Sequence, residues 1–196
     1  LYAHKISGND AYKRAAEKNI EWALTQQLEN GWLQNTGFYP QQEPLVHTIA
    51  YSIQGILEIA IYLRKKRYLE AAVKAATPLM KVQRPDGSLP GSFNKEWKSS
   101  VKWSCLTGNS QMSIIWQKLF LVTKQKEFSD AARKSNEYMK TVQSLTSLNP
   151  GIRGGIPGAF PVYGWYAPFC FPNWAAKFFV DALMLEMYSE MHAKIM

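Results

Sequence analysis

Three observations predict an all-α chain arranged as an arc of an α/α toroid, a ring of inner helices wrapped by outer ones. One residue pattern recurs three times, strongly apolar helices alternate with half-polar ones, and the links between them alternate short and long. The pattern, aromatic-x-x-Ala-Ala-x-Lys-x8-Gln, runs from Tyr12 through Ala15, Ala16 and Lys18 to Gln27. It returns as Tyr68, Ala71, Ala72, Lys74 and Gln83, and again as Phe128, Ala131, Ala132, Lys134 and Gln143. Its alanines stand at 15, 71 and 131, spacings of 56 and 60 residues, and a fixed period of this length marks a helical repeat.

Each copy predicts an outer helix. Paired alanines favour helix and let a neighbour approach closely, and a glycine follows the glutamine as a stop, at Gly31 and Gly87. Gly154 and Gly155 come later in the third copy, so that loop is expected to carry an insertion. Pro78 is expected to kink the second helix or to shift its start. Three other segments, His47 to Leu63, Thr107 to Thr123 and about Asn173 to His192, are apolar nearly all round, as Ile49, Ile53, Ile56, Leu57, Ile59, Ala60 and Ile61 show. A helix apolar on every side is buried on every side, so these are the inner set.

Links from inner to outer helices are short and charged, Arg64 to Arg67 and Lys124 to Glu127, whereas those from outer to inner are long, about 30–45, 84–106 and 144–171. All long loops therefore gather at one rim, where the inner helices begin. The chain divides as a single partial toroid domain over 1–196, with repeats at about 10–45, 46–106 and 107–171 and a last inner helix over 172–192. It begins at Leu1, and Leu1 to Ser7 has the character of an inner helix's tail, since Tyr12 holds the place that Tyr68 holds. The expectation is a C-terminal portion of a larger ring whose uncovered flank self-associates.

Composition narrows the partners. The 196 residues carry a net charge of +8 and are 46% hydrophobic, enough for a packed core. No uncharged apolar run reaches the roughly 18 residues of a membrane span, because Ile53 to Leu63 is short and holds Glu58. The basic run Arg64-Lys-Lys-Arg67 lies on the short-turn side and reads as a solvated turn, not a nucleic-acid contact. Cys105 and Cys170 suit either a pair or two ordinary buried thiols. The second is commoner in the cytosol and sets the expectation of a cytoplasmic location. No His-Glu-x-x-His, Cys-x-x-Cys, phosphate loop or dinucleotide fingerprint occurs, so no metal or organic cofactor is expected.

The turn Gln83-Arg-Pro-Asp86-Gly87-Ser88, with Gln27-Leu-Glu-Asn-Gly31-Trp32 as a near variant, resembles the Gln-x-x-Asp-Gly-Ser turn of squalene cyclases and protein prenyltransferases. It is similar also to turns of six-hairpin glycosidases and toroidal polysaccharide lyases. The Thr107-Gly-Asn-Ser-Gln-Met segment, the Ile152-Arg-Gly-Gly-Ile-Pro-Gly segment and Pro172-Asn-Trp-Ala-Ala-Lys resemble uncharacterised bacterial toroid proteins found near polysaccharide genes. The resemblance implies the toroid across nearly the whole chain and rings of six or seven hairpins. In such turns the Asp, here Asp86, serves mainly a structural clasp.

Chemistry is expected at the rim. Aromatic faces stack on sugar rings or enclose apolar chains, which makes Trp32, Trp103 and Trp165 candidate platforms, with Asn109, Gln111 and Asp86 as further binding candidates. His47 stands where an inner helix meets the rim, and Asn109 and Asn173 hold comparable places. Histidine titrates near neutrality, Arg153 can grip a carboxylate in a bidentate fork, and Tyr163 or Tyr166 can move a proton. Each also has a plain structural use: helix cap, satisfied core histidine, or tyrosine bonded to backbone. Acidic residues are sparse at the rim, which counts against simple glycoside hydrolysis by paired carboxylates. Toroidal lyases use Asn, His, Tyr and Arg, and that resemblance implies a scheme in which Arg153 and Asn173 hold a uronate carboxylate, Tyr163 or Tyr166 moves the proton and His47 assists. The leading expectation is thus a protein that holds or acts on a carbohydrate, one that contains uronate in the lyase form. An isoprenoid or lipid pocket like that of the cyclases, and a non-catalytic binding module, are the alternatives.

Overall fold

The computed structural model describes residues 1–193, with side chains as far as Tyr188. Its helices follow the predicted alternation: α1 (Tyr2–Ser7), outer α2 (Asp10–Thr25), inner α3 (Val46–Leu63), outer α4 (Lys66–Lys81), inner α5 (Leu106–Thr123), outer α6 (Lys126–Val142) and inner α7 (Asn173–Ala193). Helix α5 packs on both α3 and α7, which makes an inner row, while α4 and α6 pack on α3 and α5 from outside. The architecture is the arc of an α/α toroid.

Two-residue links close each inner helix onto its outer partner. Arg64 and Lys124 adopt left-handed conformations, φ 54° and 61°, and cap α3 and α5 through backbone N–H bonds to Ala60 and Phe120. Gly8 does the same for α1, at φ 68°, so α1 stands to α2 as the end of α3 stands to α4. The basic run at the first of these links spends its charge locally. Lys65 pairs with Glu17 at 2.7 Å and Arg67 with Glu21 at 2.9 Å, while the Tyr68 hydroxyl donates to Glu21 at 2.6 Å.

The recurrent glutamine and glycine form a clasp between repeats. Gln27 Nε2 donates to Gly31 O of its own turn and, at 2.9 Å, to Ala71 O of the next outer helix. Gln83 Nε2 repeats this with Gly87 O and Ala131 O, each at 3.0 Å. Gly31 and Gly87 have φ of 87° and 89°, and a Cβ on either would overlap the carbonyl of Lys74 or Lys134, so both backbone conformation and space demand glycine. Pro78 neither interrupts α4 nor shifts its start past Tyr68. It lies in the last turns of an unbroken helix, where it has no N–H to give Lys74 O, the carbonyl against which Gly31 rests.

The third copy carries the expected insertion. Gln143 Nε2 reaches Gly154 O at 2.7 Å, eleven residues on instead of four, and Gly154 takes the same left-handed conformation, φ 82°. Two short strands absent from the sequence expectation, β1 (Ser104–Cys105) and β2 (Ala159–Phe160), pair antiparallel and tie the second long loop to the third. A bridge between Leu45 and Ser92 ties the first loop to the second.

Helix α3 is long and apolar enough, at 18 residues and mean hydropathy 1.3, to suit a membrane span by composition. Half of it is buried within the protein, against α4 and α5, and the main core forms around Ile49, Ile53, Ile56, Leu57, Leu79, Trp116 and Leu119.

Candidate functional site at the rim

At their rim ends helices α3 and α5 pack close around Gly108, which has no side chain: a Cβ there would overlap the Val46 side chain and the backbone of His47. One turn along α5, Gln111 then faces His47. The two join through His47 Nδ1 and Gln111 Oε1 at 2.6 Å, with both residues buried. A carbonyl oxygen only accepts, so Nδ1 carries the hydrogen and Nε2 presents its lone pair. Burial pushes the His47 pKa below the ordinary histidine value, and the bond to Gln111 opposes that shift only in part. His47 is therefore neutral at physiological pH.

Two tyrosines flank this imidazole, and a phenylalanine backs one of them. Tyr51, one helical turn further along α3, lies 4.8 Å away between ring centroids, and Tyr166 from the third loop lies 5.4 Å away. Phe178 of α7 meets the Tyr51 ring edge-on at 5.9 Å. Trp174 Nε1 donates to the Tyr166 hydroxyl at 2.9 Å, which leaves the phenol its own hydrogen to give. Burial raises the Tyr166 pKa, so that hydrogen stays bound at neutral pH. The cluster thus joins an unprotonated base to a protonated acid where α3, α5 and α7 begin.

Beside it the rim holds an open groove of about 190 Å³ lined by Gln42, Glu43, Leu45, Ser92, Val101, Trp103 and Trp165. Leu45 and Trp165 connect it along the chain to His47 and Tyr166. Glu43 is oriented by hydroxyls from Ser92 at 3.2 Å and Ser100 at 3.3 Å. Trp103 lies on Gly91, whose Cβ position its ring occupies, while Trp165 is half exposed.

Of the residues singled out in the sequence, His47, Gln111 and Tyr166 come together, and Trp103 and Trp165 line the adjacent groove. Asn173 is exposed at the first turn of α7, next to the Trp174 that holds Tyr166. Tyr163 lies on the same loop as Tyr166 and is 68% exposed.

The others stand elsewhere. Trp32 is no platform: only 6% exposed, it packs edge-on against Trp97 at 5.0 Å in the core, because the first long loop needs a hydrophobic anchor. Asp86 caps its own turn, accepting from Ser88 N at 2.9 Å and Ser88 Oγ at 2.7 Å. Asn109 is fully buried and accepts from Leu89 N at 3.0 Å, which locks the second loop to α5. Arg153 immediately precedes Gly154 in the third clasp, the place Asp86 has before Gly87, and it is exposed there.

The two cysteines are free thiols. Cys105 is buried with its pKa pushed up to about 12 by burial, whereas Cys170 is exposed, so the expectation of two buried thiols holds for Cys105 alone.

Sequence inspection missed Tyr51 and Glu43. Tyr51 had one available signal, its spacing of four from His47, which puts both on one helix face. Glu43 had only its place among the few acids of the rim loops, and the bridge between the first two loops brings it beside Trp103. Among the described residues no three His, Cys, Asp or Glu side chains gather as a metal site.

No protein-family model matches the chain, and no curated protein sequence does. Solved structures do. An unsaturated glucuronyl hydrolase from Bacillus sp. GL1, responsible for the degradation of glycosaminoglycan, superposes with a TM-score of 0.73 at 16% identity, covering 93% of this chain and 54% of that one. A GH76 α-mannanase from Bacteroides thetaiotaomicron gives 0.69 at 14% identity over 96% of this chain and 48% of its own. A polysaccharide lyase gives 0.64 at 12% identity, over 95% and 58%. The fold is that of these toroids, and the chain spans about half the length of each.

Proposed function

We propose that this chain handles carbohydrate at its rim, holding a sugar ring on Trp103 and Trp165 beside the His47–Gln111–Tyr166 cluster. The observation that carries this reading is the continuity of an aromatic-walled groove with a neutral histidine and a protonated tyrosine. Indole faces take up the apolar faces of sugar rings, and Glu43 and Gln42 supply acceptors for sugar hydroxyls. The toroids of similar fold, a glucuronyl hydrolase, a mannanase and a polysaccharide lyase by name, support the same class of ligand.

The chemistry this pair suits is β-elimination on a uronate-containing polysaccharide. His47 Nε2 takes the proton on the carbon next to the carboxylate, a carbon–carbon double bond forms, the bond to the glycosidic oxygen breaks, and Tyr166 protonates that oxygen as it leaves. In this scheme Asn173, the exposed neighbour of Trp174, meets the carboxylate. Hydrolysis instead requires two carboxylates across one bond, and Glu43 alone lines the groove.

A glycan array followed by ultraviolet absorbance with uronate polymers tests the proposal. Binding that Trp165→Ala abolishes, and unsaturated product that Tyr166→Phe abolishes while binding survives, are the expected results. Binding without unsaturated product leaves a carbohydrate-binding module and removes the lyase step. Binding confined to prenyl or long-chain lipids overturns the reading in favour of a cyclase-like pocket.

A further inference from the structure

The groove beside the histidine cluster is framed by three chain segments laced together through their backbones. Phe93 N donates to Pro44 O at 3.2 Å, Val46 N to Gly91 O at 3.0 Å and Gly91 N to Trp103 O at 2.8 Å. Arg84 fastens the last of these segments, donating to Lys102 O at 2.9 Å and to Ser104 Oγ at 3.1 Å, on either side of Trp103 in the chain. Its other bonds go to Ser88 Oγ and Val101 O, so the guanidinium meets only uncharged acceptors. The Trp103 ring, resting on Gly91, is thereby held in one place.

Into this frame the sequence sets a single carboxylate. Glu43 lines the groove, and the hydroxyls of Ser92 and Ser100 both donate to its Oε2, at 3.2 and 3.3 Å. That fixes the group and leaves Oε1 for a ligand. No ion pair among the described residues involves Glu43, and no Lys or Arg lines the groove beside it. A carboxylate without a counter-ion, set between two indole walls, accepts from a sugar hydroxyl and repels an anion laid on the same rings.

The charge matters because of what lies next to it. His47 follows Glu43 by four residues, a span of at most about 14 Å even when fully extended. Leu45, between them, lines the groove. A ring seated on Trp103 and a ring at His47 are therefore near neighbours along one oligosaccharide.

We infer that Glu43 is the specificity-determining residue of this groove: it admits an uncharged sugar and rejects a uronate. The ligand is then a polysaccharide in which uronate adjoins uncharged sugar, with the uronate at His47 and its neighbour between Trp103 and Trp165. A uronate homopolymer would place a second carboxylate against Glu43. The inference rests on the uronate reading of the His47–Tyr166 cluster and adds to it the chemistry of the adjoining ring.

Calorimetric titration with oligosaccharides of equal length tests it. The probes are two uronate homopolymers, oligogalacturonate and oligomannuronate, and two alternating chains, oligosaccharides of hyaluronan and of unsulfated chondroitin. The wild-type chain is expected to bind an alternating probe roughly tenfold tighter than either homopolymer, the effect of one close like-charge contact in an open groove. Glu43→Gln keeps the shape of the side chain and an acceptor oxygen for the two serines, and it is expected to remove most of that preference. Glu43→Lys is expected to invert it. The same preference in wild type and in Glu43→Gln, or a wild type that binds a homopolymer most tightly, overturns the inference and leaves carbohydrate handling standing. Binding to none of the four probes overturns the uronate reading and the inference with it.

Discussion

The side-chain amide of Gln83 donates to the carbonyl of Ala131, 48 residues away, at 3.0 Å, and to Gly87 O of its own turn at the same distance. One amide therefore closes a turn and fastens one repeat to the next. Gln83→Ala removes both bonds, an expected loss of about 2 kcal/mol at roughly 1 kcal/mol per bond, while Ala131 O keeps its helical bond within α6. Urea unfolding of the variant measures it, and an unchanged midpoint would show that the clasp contributes nothing.

Gly87→Ala is expected to cost more. It adds left-handed strain of about 1 kcal/mol and drives a methyl into the backbone of α6 at Lys134, which cannot give way as a flexible side chain would. A total of about 2–4 kcal/mol places it among the large single-site effects. A thermal midpoint equal to the wild type's would refute the account of the glycine contact.

His47 makes stability depend on pH. Its folded pKa lies below its unfolded value of about 6.5, so between the two the unfolded chain binds more protons, and acidification through that window favours unfolding. His47→Gln cannot take up that proton and is expected to flatten the acid limb of the stability curve below pH of about 6.5. Chemical denaturation across this range measures it, and identical slopes for the two proteins would sink the assignment.

Gly91→Ala should change the groove and spare the helices. The new methyl would occupy the space of the Trp103 ring, which must then swing away from the loop. Altered Trp fluorescence and weakened sugar binding with unchanged helicity are expected, and unaltered fluorescence would contradict the contact.

Removing the pairs of Lys65 with Glu17 and Arg67 with Glu21 is expected to matter little. The basic partners are 47% and 68% exposed, so water screens both pairs. A clear fall in the thermal midpoint on Arg67→Ala would show that the pairs act as one network.

Periodic features were legible in the sequence because they follow from local chemistry. The Ala-Ala pairs, the glutamine four residues before glycine, and the apolar inner segments specify helix, stop and burial from spacing alone. Residues 8, 64 and 124 take the same left-handed link despite being Gly, Arg and Lys, because the link is set by the capping bond to the helix before it. The insertion before Gly154 was legible as a broken interval.

The rim was decided by tertiary structure. His47 meets Gln111 because Gly108 lets α3 and α5 touch, and Tyr166 joins them because β1 and β2 pull the third loop over α5. Trp32 and Trp165 look alike in the sequence, yet one anchors a loop in the core and the other stays half exposed. Spacing along the chain fixes what a helix repeats every few residues. Which loop side chains converge depends on contacts between segments about 60 residues apart or more, and no local pattern encodes those.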